Sequence, residues 1–127
     1  MFVRFVTARQ DENSHALEGV FQAAYKLRDA GKLAPFEEEL LADLLKWYGT
    51  HLPSPACLSE IGTERAISWF KARAGKRLQK IWQIVTILKE HGVHVDMIRT
   101  DRPGTIIYED VWQIAAIPPK TKRLTKS

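Results

Sequence analysis

The first part of the chain alternates between short apolar runs and polar breaks. A cluster of strand-favouring side chains predicts a strand near residues 2–8. Two segments come next in which apolar residues recur at the three- and four-residue spacing of a helix. One covers residues 17–27 and stops at Gly31, and the other begins at Pro35, a favoured first-turn residue. The short joint between them predicts an antiparallel helical hairpin.

The longest periodic segment predicts a third helix from Thr63 to about His91, where Gly92 supplies the stop. In this interpretation Gly75 lies within the helix, at a cost of about 1 kcal/mol relative to alanine, and it marks a close crossing or a bend or is simply a tolerated surface glycine. Residues 51–62, with two prolines, predict a loop before it. The apolar stripe of this helix comprises Ile67, Phe70, Ala74, Leu78, Ile81, Val85 and Leu88.

Two strand-like runs close the chain. Residues 93–100 predict a strand, and the sequence of residues 102–105 is typical of a type II turn that reverses it into a second run over 105–117. Glu109 and Asp110 interrupt this second run, so a bulge or a tight turn is expected there.

The predicted order is therefore β-α-α-α-β-β. Helices and strands that do not alternate indicate an α+β fold, with helices on one face of a small antiparallel sheet. The N-terminal strand is expected to join the C-terminal hairpin across the whole chain. We predict one domain over residues 1–119 and a basic, disordered tail over residues 120–127.

Composition favours a globular, cytoplasmic protein. Of its 127 residues 45% are hydrophobic, which is enough for a core and argues against global disorder. The single cysteine, Cys57, allows no internal disulfide and so favours a reducing compartment. Arg4 and Arg9 interrupt the short apolar run at the N-terminus, so neither a signal peptide nor a membrane span is expected.

Charge is divided unevenly along the chain. Residues 1–64 carry six Lys or Arg and ten Asp or Glu, a net charge of −4, and residues 65–127 carry thirteen and five, a net charge of +8. The sum is the formal net charge of +4. Such an asymmetry suggests an anionic partner.

Much of the positive excess falls on one face of the predicted third helix. The helical repeat places five side chains within an arc of about 80°, opposite the apolar stripe. They are Arg65, Trp69, Arg73, Lys76 and Lys80. This face is suited to following a phosphate backbone, with Trp69 offering a surface on which a base stacks.

Further basic residues would extend this contact, namely Arg77, Lys120, Lys122, Arg123 and Lys126. An alternative is that the face is simply solvated, with an arginine lying on Trp69 as a cation–π pair.

An acidic cluster offers a possible complement. It comprises Glu37, Glu38, Glu39, Asp43 and Glu60. Three interpretations stay open: these residues complement a helix dipole, they bind the basic helix of a second copy in a homodimer, or they lie beside the basic face of the same chain.

Residues suited to catalysis or metal binding are few. Cys57 and His51 share the loop region, but further ligands would have to come from distant positions. His91 and His94 straddle a predicted helix end and lack the spacing of a zinc-binding helix. The sequence therefore predicts no metal and no cofactor. A small enzyme that uses the loop cysteine or a histidine is the weakest of three interpretations.

Three short stretches carry a resemblance to known sequences. They are RPGTIIYEDVWQIAAIP at 102–118, AISWFK at 66–71 and LKEHGV at 88–93. Together they resemble a loose family of short bacterial proteins of unknown function, over most of the chain. The resemblance implies no activity, but it implies that residues 108–113 form a structural unit.

Physical reasoning adds roles within that unit. Trp112 is expected to pack the sheet against the third helix, because a large indole is best used in a core. Asp110 and Gln113 are expected to satisfy neighbouring polar groups.

These patterns predict a non-catalytic binding protein whose basic helix 65–80 contacts an anionic partner, either nucleic acid or an acidic protein surface. The alternative is a protein–protein adaptor, immunity or inhibitor-like module. It would bind through an apolar surface such as Trp47, Tyr48, Pro53 and Pro55.

Overall fold

The computed structural model describes residues 1–10, 17–52 and 66–118. Within these ranges it is an α+β fold with three helices and a six-stranded antiparallel sheet. The elements in chain order are β1 (Phe2–Gln10), β2 (Leu17–Gly19), α1 (Val20–Asp29), α2 (Pro35–His51), β3 (Ile67–Lys71), α3 (Lys76–Glu90), β4 (Asp96–Thr100), β5 (Thr105–Glu109) and β6 (Gln113–Ile117).

The first strand organises the sheet, because it pairs with three others. β4 pairs with it along one edge, from Phe2 to Val6. A strand has only two edges, so β3 and β2 share the other: β3 lies opposite Phe2 and Val3, and β2 lies opposite Val6 and Gln10. β3 pairs in turn with β6, and β6 with β5. The order across the sheet is thus β4-β1-β3-β6-β5, with β2 beside the far half of β1.

The helices cover one face of this sheet. Val3 and Phe70 are opposite one another in β1 and β3, so they share a face. Phe70 lies 6.4 Å from the ring of Phe21 in α1, which identifies this face as the helix side. Large side chains that are fully buried in the helix layer include Leu41, Ile81, Ile84 and Leu88. Each such burial stabilises the fold by roughly 1.5–3 kcal/mol.

The short strand β2 connects the sheet to α1 through a buried carboxylate. Glu18 accepts a hydrogen bond from the hydroxyl of Thr7 in β1 at 3.0 Å, and it forms an ion pair with Lys26 in α1. A buried charge is tolerated only when it is paired and hydrogen-bonded, and Glu18 meets both conditions.

The second and third helices run antiparallel and are joined at both ends. At one end the carboxylate of Glu37 in α2 accepts the backbone N–H of Ala34 and lies 3.0 Å from Nε2 of His91, just after α3. At the other end the hydroxyl of Tyr48 donates to the carbonyl oxygen of Arg77, in the first turn of α3. The two contacts fix the position of α3 along α2.

The prediction of a continuous third helix from Thr63 was wrong in its first part. Ile67–Lys71 is a strand, and the helix begins only at Lys76. Gly75 has φ 58°, a left-handed conformation that ends the turn before α3 and lies outside a helix interior. Ile67 and Phe70 are both buried, but on opposite faces of β3. A strand buried on both faces therefore reproduced the three-residue spacing of a helix.

The predicted C-terminal hairpin was also wrong in its pairing. β4 pairs with β1, so the N-terminal strand does pair with a strand from the last third of the chain. The hairpin, however, is formed by β5 and β6. The tight turn expected at Glu109–Asp110 is confirmed. Asp110 accepts the backbone N–H groups of Trp112 and Gln113 at 2.8 and 2.9 Å. The helix predicted to start at Pro35 is confirmed as well.

The turn at Asp110 satisfies its polar groups as expected. Burial acts to raise the pKa of Asp110, but hydrogen bonds from Trp112, Tyr108 and Gln113 outweigh it and hold the pKa below its ordinary value. None of the helices in the described ranges is long and apolar enough to cross a membrane.

Gly104, just before β5, tests the connection between β4 and β5. It has φ 112°, and a Cβ there would lie 2.1 Å from the carbonyl oxygen of Ile117. We expect Gly104→Ala to lower the free energy of unfolding by about 3 kcal/mol, from backbone strain and this clash. The matched control is Gly49→Ala in α2, where a Cβ meets nothing within 4 Å. It should stabilise by up to about 1 kcal/mol in the same urea titration. Equal urea midpoints for the two variants would contradict the left-handed conformation of Gly104 and its close approach to Ile117.

The Glu37 contact predicts a pH dependence. Hydrogen bonds from Ala34 and His91 lower the pKa of Glu37 below its ordinary value of 4.5. A carboxyl with a lowered pKa in the folded state stabilises the fold above the unfolded pKa, and this contribution is lost as the pH falls through the folded pKa. Glu37→Gln should therefore lower the urea midpoint at neutral pH, and the difference should shrink below pH 4.5. Glu38→Gln, at the exposed neighbouring position, should change little. A pH-independent difference would contradict this role.

Candidate functional site

The structure does not place the predicted site residues on one helical face. Arg65 lies outside the described residues. Trp69 is on β3, on the sheet face opposite to Phe70 and so away from the helices. Its indole N–H is buried and has no hydrogen-bond partner among the described residues. Arg73 is in the turn that follows β3. Trp69 is therefore not a stacking surface beside the cations of α3, and that part of the prediction was wrong.

The remaining predicted cations stay together at the start of α3. Lys76, Arg77 and Lys80 occupy its first two turns, and Arg73 lies just before them. No acidic residue is present in the first turn of α3. In the described part of the chain none of these four cations has a carboxylate within ion-pair distance. The helix N-terminus adds its own positive dipole end, so the local potential is positive.

Arg77 is engaged within the fold. Its guanidinium carbon lies 4.0 Å from the ring centroid of Trp112 and 5.9 Å from that of Trp47. Its Nε donates a hydrogen bond to the carbonyl oxygen of His51 at 2.9 Å. A guanidinium over an indole stabilises by about 0.5–2 kcal/mol, depending on solvent exposure. Arg77 thus joins α3 to the end of α2 and to the turn before β6.

Lys80 makes a similar contact one turn later. Its Nζ lies 5.0 Å from the ring centroid of Trp47. The ring of His51 stacks on the same indole, with centroids 4.2 Å apart and planes inclined by 9°. We call Trp47, His51, Arg77, Lys80 and Trp112 the cation–indole cluster. Because His51 and the two cations already contact its indoles, the cluster is better suited to presenting positive charge than to stacking a base.

The exposed cations form a second, adjoining group. We call Arg73, Lys76 and Lys80 the α3 basic surface. Arg73 and Lys76 are exposed to solvent, and Lys80 is half-buried against Trp47. Arg77 supports this surface from within, since it fixes the start of α3. The expectation that Trp112 packs the sheet against the third helix agrees with its contact with Arg77 and its partial burial beside the core.

The acidic cluster lies at the other end of the same helix pair. Glu37 is buried and contacts His91 after the end of α3, whereas Glu38, Glu39 and Asp43 are exposed on α2. α3 has 15 residues, a length of about 22 Å, and its basic start is at the opposite end. The described glutamates at the start of α2 therefore do not lie beside the basic start of α3. Glu60 lies outside the described residues.

The apolar surface of the alternative prediction is only partly observable. Tyr48 is buried, and burial raises its pKa above the ordinary range. Trp47 is half-buried in the cation–indole cluster, and Pro53 and Pro55 lie outside the described residues. Tyr48 cannot be part of an exposed patch, so that residue of the prediction was wrong.

Among residues 1–10, 17–52 and 66–118 the candidate catalytic side chains do not assemble into a centre. Cys57 and the tail over residues 120–127 lie outside the described residues. His94 lies 2.9 Å from Asp96 on the surface, and His91 contacts Glu37. No group of three or more metal-ligating side chains occurs in the part of the chain that the structure describes.

Comparison of the chain with protein-family models, curated proteins and solved structures finds no match. The resemblance to short bacterial proteins therefore stays a prediction, and any function proposed for the chain rests on its geometry and charge.

The structural role of Arg77 can be separated from its charge. Arg77→Lys keeps the charge but loses the planar stacking and the Nε donor, so we expect the free energy of unfolding to fall by about 1 kcal/mol. The matched control is Arg73→Lys, the same substitution at an exposed position, with an expected change within about 0.5 kcal/mol. Both are measured by urea denaturation followed by circular dichroism. If the two variants were equally stable, Arg77 would not join the three elements.

Proposed function

We propose that this chain is a non-catalytic binding protein whose α3 basic surface contacts a polyanion, with nucleic-acid phosphates as the favoured class. One observation carries the proposal: Arg73, Lys76 and Lys80 gather at the positive end of a helix, and no described carboxylate neutralises them. Unpaired cations grouped in this way attract phosphates and release counterions on binding.

The geometry favours contact with phosphates over recognition of bases. Trp69 is on the far face of the sheet, and the indoles of Trp47 and Trp112 are occupied by His51, Lys80 and Arg77. A surface without a free aromatic face gains little from unpaired bases. Binding is therefore proposed to be insensitive to sequence and similar for single and double strands. The single cysteine supports a reducing, cytoplasmic location as part of the same proposal.

A protein partner is the second candidate, and a specific observation favours it. Phe36 and Leu40 lie one turn apart on α2 and are 72% and 40% exposed. Large apolar side chains exposed side by side are typical of protein-binding surfaces. An adaptor or inhibitor-like module would use this part of α2. A homodimer that joins the acidic start of α2 to the α3 basic surface of a second copy stays a prediction.

The test is fluorescence anisotropy with labelled single- and double-stranded DNA and RNA over a salt series from about 50 to 200 mM. The variant is Arg73→Glu/Lys76→Glu/Lys80→Glu. The control is Lys32→Glu/Lys46→Glu/Lys89→Glu, which changes exposed lysines elsewhere. Each variant lowers the formal net charge from +4 by six, to −2, so the two differ only in where the charge is lost.

We expect wild-type affinity to fall with salt at a logarithmic slope of about −3 for duplex, as for three phosphate contacts. The first variant should lose at least about tenfold in affinity, and the control much less. An equal loss of affinity in both variants would show that binding depends on net charge and not on the position of the charges. No binding at the lowest salt would exclude nucleic acid and favour a protein partner.

A further inference from the structure

A groove separates α3 from the β4 edge of the sheet, on a side of α3 that the proposed function does not use. Phe5 and Met97 are opposite one another in β1 and β4, and so are Val3 and Arg99, which places all four on the helix side. α3 covers β1, where Trp82 packs edge-on against Phe5 at 5.0 Å. It leaves β4 uncovered: Met97 is 37% exposed and Arg99 is exposed.

The groove is open to solvent, and most of its walls are apolar. Its volume is about 330 Å³, and its walls include Phe5, Leu78, Trp82, Met97 and Arg99. Two lining residues carry a positive charge: Met1, whose N-terminal ammonium lies 3.5 Å from Asp101, and Arg99, which has no ion pair in the described part of the chain. Trp82 is 47% exposed although it is a large aromatic residue. Ligand sites combine such apolar walls with a few polar groups that fix orientation.

The backbone next to the groove is also open. β4 pairs with β1, and no other described strand lies on its outer edge. An edge strand presents unpaired N–H and carbonyl groups that can pair with another chain. The open edge and the apolar groove are independent observations, and they lie beside each other.

We propose that this groove binds an extended peptide of a partner protein, which adds to β4 as a further strand. Main-chain hydrogen bonds to β4 would supply affinity, and alternate side chains would face the groove. An apolar side chain opposite Met97 contacts Trp82, and an acidic side chain opposite Arg99 pairs with its guanidinium. Residues opposite positions 97 and 99 are two apart, so the recognised pattern is apolar–any–acidic for a peptide parallel to β4 and acidic–any–apolar for an antiparallel one.

Charge favours this partner over a second copy. On the groove side β4 presents Met97 and Arg99 and no carboxylate, so a second copy of β4 has no acidic side chain there to pair with Arg99. The groove also lies apart from the α3 basic surface: Leu78 and Trp82 face β1, whereas Arg77 and Lys80 face α2. Both surfaces can therefore be occupied together, and each can be tested without the other.

The experiment begins with selection from a random octapeptide library displayed on phage, with the full chain as bait. We expect enrichment of peptides in which an apolar and an acidic residue recur two positions apart, in one of the two orders. An enriched peptide is then synthesised with a fluorophore and titrated by anisotropy. The absence of a recurrent pattern would overturn the proposal, as would enriched peptides in which no acidic position recurs.

Variants then locate the site. Met97→Lys should weaken binding at least tenfold, and Ile106→Lys on β5, the opposite edge of the sheet, should leave it unchanged. Arg99→Glu should weaken binding of the selected peptide. A peptide with lysine in place of the acidic residue should bind the Arg99→Glu variant again. Circular dichroism confirms that each variant is folded. Equal losses at Met97 and Ile106, or no response to the charge exchange at Arg99, would contradict the proposal.

A set of modified peptides tests strand addition without altering the protein. N-methylation removes one peptide N–H at a time, and alternate N–H groups of an added strand point towards β4. We expect methylation to abolish binding at every second residue and to be tolerated between them. A peptide that tolerates methylation at every position would not be bound as a strand. The Arg73→Glu/Lys76→Glu/Lys80→Glu variant, in which the charges of the α3 basic surface are reversed, should bind the peptide with unchanged affinity. This result separates the peptide proposal from the proposed function.

Discussion

The pairing of β3 with β1 on one side and β6 on the other is the interaction on which the structure depends. The five residues of β3 join the N-terminal strand to the C-terminal hairpin, so the two parts of the chain fold together. The strand ends at Lys71, and Gly75, with φ 58°, turns the chain so that α3 begins at Lys76. The start of α3 is thus determined by where β3 ends. The α3 basic surface and the groove beside β4 are both built on that helix.

One helix supplies two different surfaces because its sides meet different neighbours. Towards α2 and the β5–β6 turn it presents Arg77 and Lys80, which lie against indoles and have no carboxylate partner among the described residues. Towards β1 it presents Leu78 and Trp82, which cover Phe5 but stop short of β4. The first surface attracts anions, and the second leaves an apolar groove beside an open strand edge. The contact between Glu37 and His91 holds the far end of α3 against the start of α2.

Elements dominated by local chemistry were predictable from the sequence. The start of α2 at Pro35, the end of the third helix before Gly92 and the turn at Asp110 each follow from a residue with a strong local preference. β3 was not predictable in this way, because a strand buried on both faces has the same apolar spacing as a helix. The cation–indole cluster was missed because its members come from three separate elements and meet only through the fold. Of the predicted site, the cations of α3 remained together and Trp69 did not.

Backbone NMR of the uniformly labelled chain tests the central claim most directly, namely that residues 67–71 form a strand in the middle of the sheet. Nuclear Overhauser contacts between Val3 and Phe70 and between Trp69 and Ile114 are predicted, together with extended chemical shifts over 67–71 and slow amide exchange. Helical shifts begin only at Lys76 in this account. Sequential helical contacts running from residue 66 through Gly75 into α3, with no contacts to β1 or β6, would contradict it.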